Sequence, residues 1–316
     1  MPVKEFRRAA VIGSGMMGPG VALSLALGGL ETVIVSRTQA AAEQGLAKAR
    51  EQLQTLEQHG LAEAGSAARA REALTSSSDL ESSVAEVDIV VESAPEDMRL
   101  KRELFRRLDS LTPADAVLAT NTSGLSVTSI AEGCTRPERV LTTHFWNPPY
   151  LMRLVEIVRG ERTDEAVVAA VKSLLERCGK LPVVVKKDRP GQLGNRLQHA
   201  LVREALHIVG EGVASVEDVD LAVREGFGLR LPVYGVFEHA DAVGLDLVLS
   251  IQDYVNQDLC RENRAPSALR ERVDEGRLGV KTGEGFYDWS KKSWDEVRQR
   301  RDNFILSFLK SSGASD

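Results

Sequence analysis

Residues 9–18 of the chain are AAVIGSGMMG. The first four of these residues are apolar and predict a buried strand, while PGVALSLALGG, which follows, predicts a helix. A G-x-G-x-x-G turn between a strand and a helix lets the backbone approach a pyrophosphate, and the helix N-terminus then supplies N–H donors. The stretch therefore predicts a dinucleotide-binding turn formed by Gly13, Gly15, Met16, Met17 and Gly18, with a ligand-free glycine turn as the alternative.

Further apolar runs alternate with helical stretches after this turn. Strands are predicted from TVIVS (32–36), DIVVES (88–93), AVLATN (116–121), VLTTHF (140–145), LVEIVR (154–159) and LPVVVK (181–186). Residues 38–75 have leucine at helical spacing and predict a helical hairpin inserted into the sheet. The alternation predicts an α/β domain of the Rossmann type, with a mostly parallel sheet covered by helices.

The strand signals end after Lys187. Helices are predicted for residues 195–210, 215–225, 241–258 and 266–276, with one more for 164–178 inside the sheet domain. We therefore expect a dinucleotide-binding domain over residues 1–186 and an all-α domain for substrate binding and dimerisation over residues 187–316.

Composition excludes several classes of function. The formal net charge of −6 over 316 residues argues against a broad nucleic-acid-binding face. The first residues lack a secretory signal, and no apolar run is long enough to span a membrane, so we expect a cytoplasmic protein. Cys134, Cys178 and Cys260 lack metal-type spacing, so we expect reduced structural thiols and no metal site.

The second predicted strand ends at Ser36-Arg37, where an NAD site usually places an acidic side chain on the adenosine ribose. Arg37 could pair with the 2′-phosphate of NADP. It could equally be an exposed arginine in an NAD enzyme, so the sequence leaves both cofactors open.

Polar clusters follow several strands, at the edge where open α/β sheets bind ligands. Glu156 lies at the centre of the apolar run LVEIV, and an unpaired carboxylate there would be costly to bury. His144, at the end of another strand, is the obvious partner. A carboxylate that accepts the proton of one ring nitrogen fixes the tautomer and raises the basicity of the other, so the pair predicts a general base.

Taken together, the motifs resemble those of the 3-hydroxyacyl-CoA dehydrogenase family, including its lambda-crystallin and L-gulonate dehydrogenase relatives. Besides GSGMMG, the resemblance rests on VVESAPEDMRLKRELF (90–105), NTSGLSVT (121–128), HFWNPPYLMRLVEIV (144–158), GQLGNRL (191–197) and GRLGVKTGEGFYDW (276–289). These motifs extend over nearly the whole chain, and in combination they are highly specific.

The resemblance implies a role for each matching residue. It makes His144 the base, oriented by Glu156, and it places Ser123 and Asn195 on the reacting oxygen of the substrate. It also implies that Glu96, Lys101 and Asn121 lie beside the nicotinamide and its ribose. The expected reaction takes the proton from a C3 hydroxyl of L configuration while C3 passes a hydride to the nicotinamide, as in fatty-acid metabolism.

The substrate is left open by the sequence. An L-3-hydroxyacyl-CoA is the first expectation, and Lys48, Arg50, Arg69 and Arg71 of the hairpin could meet its phosphates, although acidic residues are interspersed. A free polar 3-hydroxy acid such as gulonate is the alternative, with Arg230 as a carboxylate partner. Asn147 is a further candidate substrate contact.

Two further expectations concern assembly and activity. The resemblance implies a homodimer through the C-terminal helices, for which Val243, Leu245, Leu247, Val248 and Ile251 could supply an apolar face, although they could also be monomer core. A non-enzymatic protein that binds NAD(P), or a structural protein, is the alternative from a different class.

Overall fold

The computed structural model describes residues 5–312 and divides the chain into two compact units. One unit comprises the chain up to Asn195 together with the segment from Arg300, and the other is Arg196–Gln299. The sequence had placed the division at residues 186 and 187 and the whole C-terminus in the second domain. The difference arises because Leu306, in the last helix, is buried in the core of the first unit.

The first unit is built on one eight-stranded sheet of order β3-β2-β1-β4-β5-β6-β7-β8. Neighbouring strands are parallel except β6 and β7, which are antiparallel. The strands are β1 (Arg8–Ile12), β2 (Glu31–Val35), β3 (Leu74–Ser77), β4 (Ile89–Glu92), β5 (Val117–Thr120), β6 (Val140–Phe145), β7 (Leu154–Arg159) and β8 (Leu181–Val185). The mostly parallel sheet expected from the apolar runs is thereby confirmed.

Strand β3 was not predicted. Its sequence, LTSS, has four residues and one strongly apolar side chain, so it carries no hydrophobic run that would distinguish it from a turn. It adds a parallel edge beside β2, after the two helices of the predicted hairpin.

Helices cover both faces of the sheet. They are α1 (Gly18–Leu27), α2 (Gln39–Gln58), α3 (Ala64–Ala73), α4 (Leu80–Val84), α5 (Met98–Leu111), α6 (Val127–Ala131) and α7 (Glu165–Arg177). Two apolar clusters lie on opposite faces, as shown by β1, where Ala9 and Val11 join one cluster and Ala10 joins the other. Burial on both faces is why the central strands have nearly continuous apolar sequences.

The second unit is helical. Its helices are α8 (Gly194–Gly210), which begins in the first unit, α9 (Val216–Glu225), α10 (Val236–Val243), α11 (Leu245–Val255), α12 (Ser267–Asp274) and the start of α13 (Trp294–Ser312). The single helix predicted for residues 241–258 was wrong. Gly244 has a φ of 96°, and its N–H closes α10 on Ala240 and Asp241, so a new helix begins after it.

Residues 5–312 contain no helix that is both long and apolar enough to cross a membrane. In the same part of the chain, no three His, Cys, Asp or Glu side chains are grouped to hold a metal ion. Cys134, Cys178 and Cys260 are free thiols.

Candidate active site

The glycine turn joins β1 to α1, and its three glycines differ in the space that is available around each of them. A Cβ on Gly13 would lie 2.5 Å from the carbonyl oxygen of Ser93, and one on Gly18 would collide with the carbonyl of Gly13. A Cβ on Gly15 would meet nothing within 4 Å. Helix α1 begins after Met17 without a side-chain cap. The two tight glycines bring helix and strand together, and the open position and uncapped N–H groups fit a pyrophosphate.

The remaining residues of the predicted cofactor site lie beside this turn. Met16 is 67% exposed, whereas Met17 packs against the core. Ser36 follows β2, and its Oγ accepts a hydrogen bond from the hydroxyl of Ser14 at 3.0 Å. Arg37 is exposed and, within the described residues, has no carboxylate partner. The three residues between β2 and α2, Ser36 to Thr38, include no acidic side chain.

The end of β4 carries a buried ion pair that the sequence analysis did not identify. Glu92 and Lys101 are 0% and 1% exposed, and Nζ of Lys101 lies 2.7 Å from Oε1 of Glu92. Glu92 also accepts hydrogen bonds from the Ala94 N–H and the Thr120 hydroxyl, each at 2.6 Å. Its signal was a carboxylate at the end of the apolar run DIVVE, the same signal that pointed to Glu156.

Lys101 was predicted to lie on the cofactor side. Its Nζ is surrounded by three protein oxygens: Glu92 at 2.7 Å, the carbonyl of Ala94 at 3.3 Å and Oε2 of Glu96 at 3.6 Å. Glu92 and Ala94 accept hydrogen bonds from two of the three ammonium donors, while Glu96 is an ion-pair contact beyond hydrogen-bond distance. Contact between Lys101 and a cofactor stays a prediction, and the structure shows Lys101 as the bridge from Glu92 to Glu96.

Glu96 holds the loop after β5. Its Oε1 accepts hydrogen bonds from the Thr122 hydroxyl and from the N–H groups of Ser123 (3.0 Å) and Gly124 (3.2 Å). Asn121 is buried, and its side chain receives the Phe145 N–H at 2.8 Å and donates to Ser93 at 3.3 Å. The Ser123 side chain is exposed. The loop thus has a fixed backbone that presents the Ser123 hydroxyl outward.

His144 and Glu156 face each other across the antiparallel strands β6 and β7. Nδ1 of His144 lies 3.2 Å from Oε1 of Glu156, and the two side chains are 6% and 0% exposed. Burial by itself raises the pKa of Glu156, but hydrogen bonds from His144 and from the Leu193 and Gly194 N–H groups outweigh it and lower the pKa. Glu156 is therefore an ionised acceptor and Nδ1 of His144 is the donor, so the lone pair of the neutral ring lies on Nε2.

The start of α8 is fastened to the same groups. The N–H groups of Leu193 and Gly194 donate to Oε2 of Glu156 at 2.8 and 3.2 Å. Asn195 donates through Nδ2 to the backbone carbonyl of Ser123 at 2.7 Å. The structure thus brings Ser123 and Asn195 into contact, but the Asn195 amide is directed at backbone. The backbone donors to Glu156 were missed because residue type carries no signal for a backbone N–H.

Two predicted substrate contacts are not held in this network. Asn147 is exposed two residues after β6, and Arg230 is exposed in the second unit, directly after a 3₁₀ turn at Phe227–Leu229. Within the unit Arg196–Gln299, no carboxylate lies at ion-pair distance from the Arg230 guanidinium, and its contact with substrate stays a prediction.

Comparison with protein-family models gives two adjacent matches. Residues 8–189 match the 3-hydroxyacyl-CoA dehydrogenase NAD-binding domain, and residues 191–289 match the C-terminal domain of the same family. This chain belongs to the 3-hydroxyacyl-CoA dehydrogenase family. It is therefore an oxidoreductase of the NAD-dependent dehydrogenase type, as predicted, and its glycine turn belongs to the NAD-binding domain.

Members of the 3-hydroxyacyl-CoA dehydrogenase family that resemble the chain differ in substrate. A probable 3-hydroxybutyryl-CoA dehydrogenase of Bacillus subtilis is 36% identical, with 92% of this chain and 99% of that protein covered. An L-carnitine dehydrogenase of Streptomyces coelicolor is 41% identical over 73% of this chain and 72% of its own.

A solved structure shows the same diversity. The crystal structure of 5-formyl-3-hydroxy-2-methylpyridine 4-carboxylic acid 5-dehydrogenase, described as an NAD+-dependent dismutase, superposes with a TM-score of 0.90 at 32% identity and covers 96% of this chain and 97% of that one. These likenesses support the family and leave its substrate choice open.

Proposed function

We propose that the protein oxidises the C3 hydroxyl of an L-3-hydroxyacyl-CoA, with His144 as the general base. The observation that carries this proposal is the buried pair of His144 and the ionised Glu156, held by the start of α8 and next in the sheet to the loop that carries Ser123. Buried polar groups are expensive unless they are paired, so a histidine paired in this way indicates a selected function.

The cofactor would be held by the glycine turn and the uncapped N-terminus of α1. When bound, its nicotinamide supplies the hydride acceptor. Because β2 ends in Ser36 and Arg37 without a carboxylate, we expect NAD to be used with weak discrimination against NADP. A kcat/KM ratio between the two cofactors measures that discrimination directly.

His144 works through the two ends of its ring. Nδ1 is committed to Glu156, which fixes the tautomer and stabilises the imidazolium that forms. Nε2 is left to take the proton of the substrate hydroxyl. The Ser123 hydroxyl and the second N–H of Asn195 are available to hold the oxygen, since Asn195 uses one donor on the Ser123 carbonyl.

A free polar hydroxy acid is the second candidate, and two observations favour it. In the hairpin that would meet the phosphates of CoA, Arg71 is paired with Glu57 at 2.6 Å, which reduces the positive charge available there. Arg230 has no carboxylate partner within the unit Arg196–Gln299, and we propose that it binds a free carboxylate. No observation favours a non-enzymatic protein, since the base and its carboxylate are assembled.

The deciding experiment is a steady-state oxidation assay with NAD and with NADP against L-3-hydroxybutyryl-CoA and a panel of free 3-hydroxy acids that includes L-gulonate and L-carnitine. We expect the highest kcat/KM with the CoA substrate. A free acid preferred tenfold or more, about 1.4 kcal/mol in transition-state binding, selects the second candidate. Cofactor binding without turnover on any substrate rejects both.

We also infer that the second unit pairs with a second copy of the chain. No residue of α8 to α11 is buried, and Phe237, Tyr254 and Leu245 are 85%, 81% and 61% exposed. So much exposed apolar surface is unusual for a monomer. Light scattering on the assayed preparation is expected to give twice the chain mass, and a monomer at micromolar concentration would contradict this.

A further inference from the structure

Trp146 touches both members of the His144–Glu156 pair. Its indole Nε1 donates a hydrogen bond to Oε1 of Glu156 at 3.1 Å. Its ring centroid lies 5.4 Å from that of His144, with the planes tilted by 51°. The indole N–H and Nδ1 of His144 therefore share a single carboxylate oxygen.

This sharing completes the hydrogen bonding of Glu156. Oε1 receives His144 and Trp146, and Oε2 receives the backbone N–H groups of Leu193 and Gly194. A carboxylate has about four lone-pair sites, so the four donors saturate it. Three of these donors are uncharged throughout the reaction, and each draws on the negative charge that would otherwise stabilise the His144 imidazolium.

The indole is also held in place. A Cβ on Gly194 would lie 2.4 Å from Cζ2 of Trp146 and 3.0 Å from Oε1 of Glu156, so the start of α8 packs directly against the ring and the carboxylate. Only a residue without a side chain allows this approach. The geometry keeps the indole N–H on Oε1 and keeps Oε1 between two rings.

We infer that Trp146 is a positioning residue for the base, because its N–H competes with His144 for Oε1 of Glu156 and so sets the pH at which His144 takes up a proton. This inference rests on the proposed role of His144. Trp146 does not touch the reacting atoms in this account and acts through Glu156 alone.

Other groups near His144 do not offer the same effect. Glu156 on β7 is its charged partner. The loop after β5 and the segment Gln192–Asn195 bring no titratable side chain to the pair. Glu96, from the loop after β4, is bound to the β5 loop, where its Oε1 accepts hydrogen bonds from Thr122, Ser123 and Gly124.

The test is Trp146→Phe, which keeps an aromatic ring and removes the N–H. Losing one donor leaves more of the carboxylate charge to the imidazolium, so His144 should hold its proton to higher pH. The acid limb of log kcat/KM for alcohol oxidation should move upward by about half a unit to one pH unit, the equivalent of one net hydrogen bond. The plateau should fall by less than about tenfold.

A second readout does not depend on turnover. The His144 ring resonance, assigned by its absence in His144→Gln, should show a titration midpoint that moves upward by the same amount in Trp146→Phe. Trp294→Phe, a change of the same kind in the second unit, should move neither the limb nor the midpoint. An unchanged or lower midpoint in Trp146→Phe overturns the inference even if the enzyme is active, whereas a raised midpoint in a protein whose wild type turns over no substrate supports the inference and counts against the proposed function.

A third preparation covers the case in which Trp146→Phe does not fold. Wild-type chain labelled with 5-fluorotryptophan keeps the indole and makes its N–H a stronger donor, so the His144 midpoint should move downward. Trp146, Trp289 and Trp294 are all labelled, so Trp289→Phe and Trp294→Phe in the labelled protein remove the other two labels in turn and should leave the midpoint where Trp146 sets it. A midpoint that does not move, or that moves upward, contradicts the inference.

Discussion

Glu92 and Glu156 are two carboxylates of one sheet that are both 0% exposed, and they differ in the partner that the fold gives them. Glu92 is paired with the ammonium group of Lys101, while Glu156 is paired with the imidazole ring of His144, a side-chain type that serves as a proton acceptor in catalysis. A buried carboxylate is therefore not evidence of catalysis by itself. An ammonium partner makes the pair a structural element, whereas an imidazole partner makes it a proton-transfer site.

The largest effect is expected at the titratable pair. His144→Gln should lower turnover by roughly 10²–10⁴-fold, because the group that accepts the substrate proton is lost. Cofactor affinity, measured by NADH fluorescence, should change little, since the glycine turn is untouched.

The matched control is His59→Gln, which changes a histidine at the end of α2, outside the pair. It should retain full turnover. If His144→Gln also retained full turnover, His144 would not be the base. The His144–Glu156 pair would then be no more catalytic than the Glu92–Lys101 pair.

Substitutions in the Glu92–Lys101 pair should lower the free energy of unfolding. Glu92→Gln or Lys101→Met leaves one charge buried without its partner, which typically costs about 3–5 kcal/mol in the free energy of unfolding. The double variant removes both charges and should cost clearly less than the sum of the single variants. Urea unfolding followed by tryptophan fluorescence measures all four proteins.

A different outcome would contradict a purely structural role for Glu92. If Glu92→Gln lowered turnover a hundredfold while unfolding at the same urea concentration as the wild type, Glu92 would belong to the chemistry. Lys101→Met removes the ion-pair contact to Glu96, which holds the Ser123 loop, so an effect on turnover through this contact should appear as a change in KM more than in kcat.

The same two carboxylates show how far the sequence could be followed. The apolar runs predicted seven of the eight strands, and the cost of burying a charge predicted a partner for Glu156. The identical argument applies to Glu92 and was not made, because its partner Lys101 lies on a helix nine residues later and no periodicity connects the two. The helix break at Gly244 depends on a positive φ that a glycine permits but does not require.

The hydrogen bonds around the base could be predicted only in part. The Asn195 amide reaches the Ser123 carbonyl across 72 residues, and the Leu193 and Gly194 N–H groups reach Glu156 across 37 and 38. Such contacts depend on how α8 meets the sheet. Trp146 was overlooked because an aromatic residue between two polar clusters has the pattern of ordinary core.

A smaller effect is expected from Lys180, a buried charge whose hydrogen-bond partners are carbonyl oxygens and not a carboxylate. Lys180 is 7% exposed, and its Nζ donates to the carbonyls of Pro149 and Met152, in the loop that follows His144. Burial lowers the pKa of Lys180 to about 8 from 10.5; Cys178 opposes the shift, and Arg153 adds to it. Between about pH 8 and 10.5 the unfolded chain therefore binds more protons than the folded chain, so this group should make the protein more stable as pH rises, by up to about 3 kcal/mol.

The measurement is the difference in unfolding free energy between wild type and Lys180→Met from pH 7.5 to 10.5, which should change in favour of the wild type as pH rises. Both chains carry Cys178→Ala in this measurement, because Cys178 interacts with Lys180 and because burial raises the pKa of this thiol from 9.0 to about 11, which lowers stability over part of the same pH range. Lys180→Arg serves as a control because a guanidinium stays charged throughout. If the unfolding free energies of wild type and Lys180→Met ran parallel with pH, carbonyl oxygens would stabilise a buried cation as well as Glu92 does. The chemical nature of the partner would then matter less than the difference between Glu92 and Glu156 suggests.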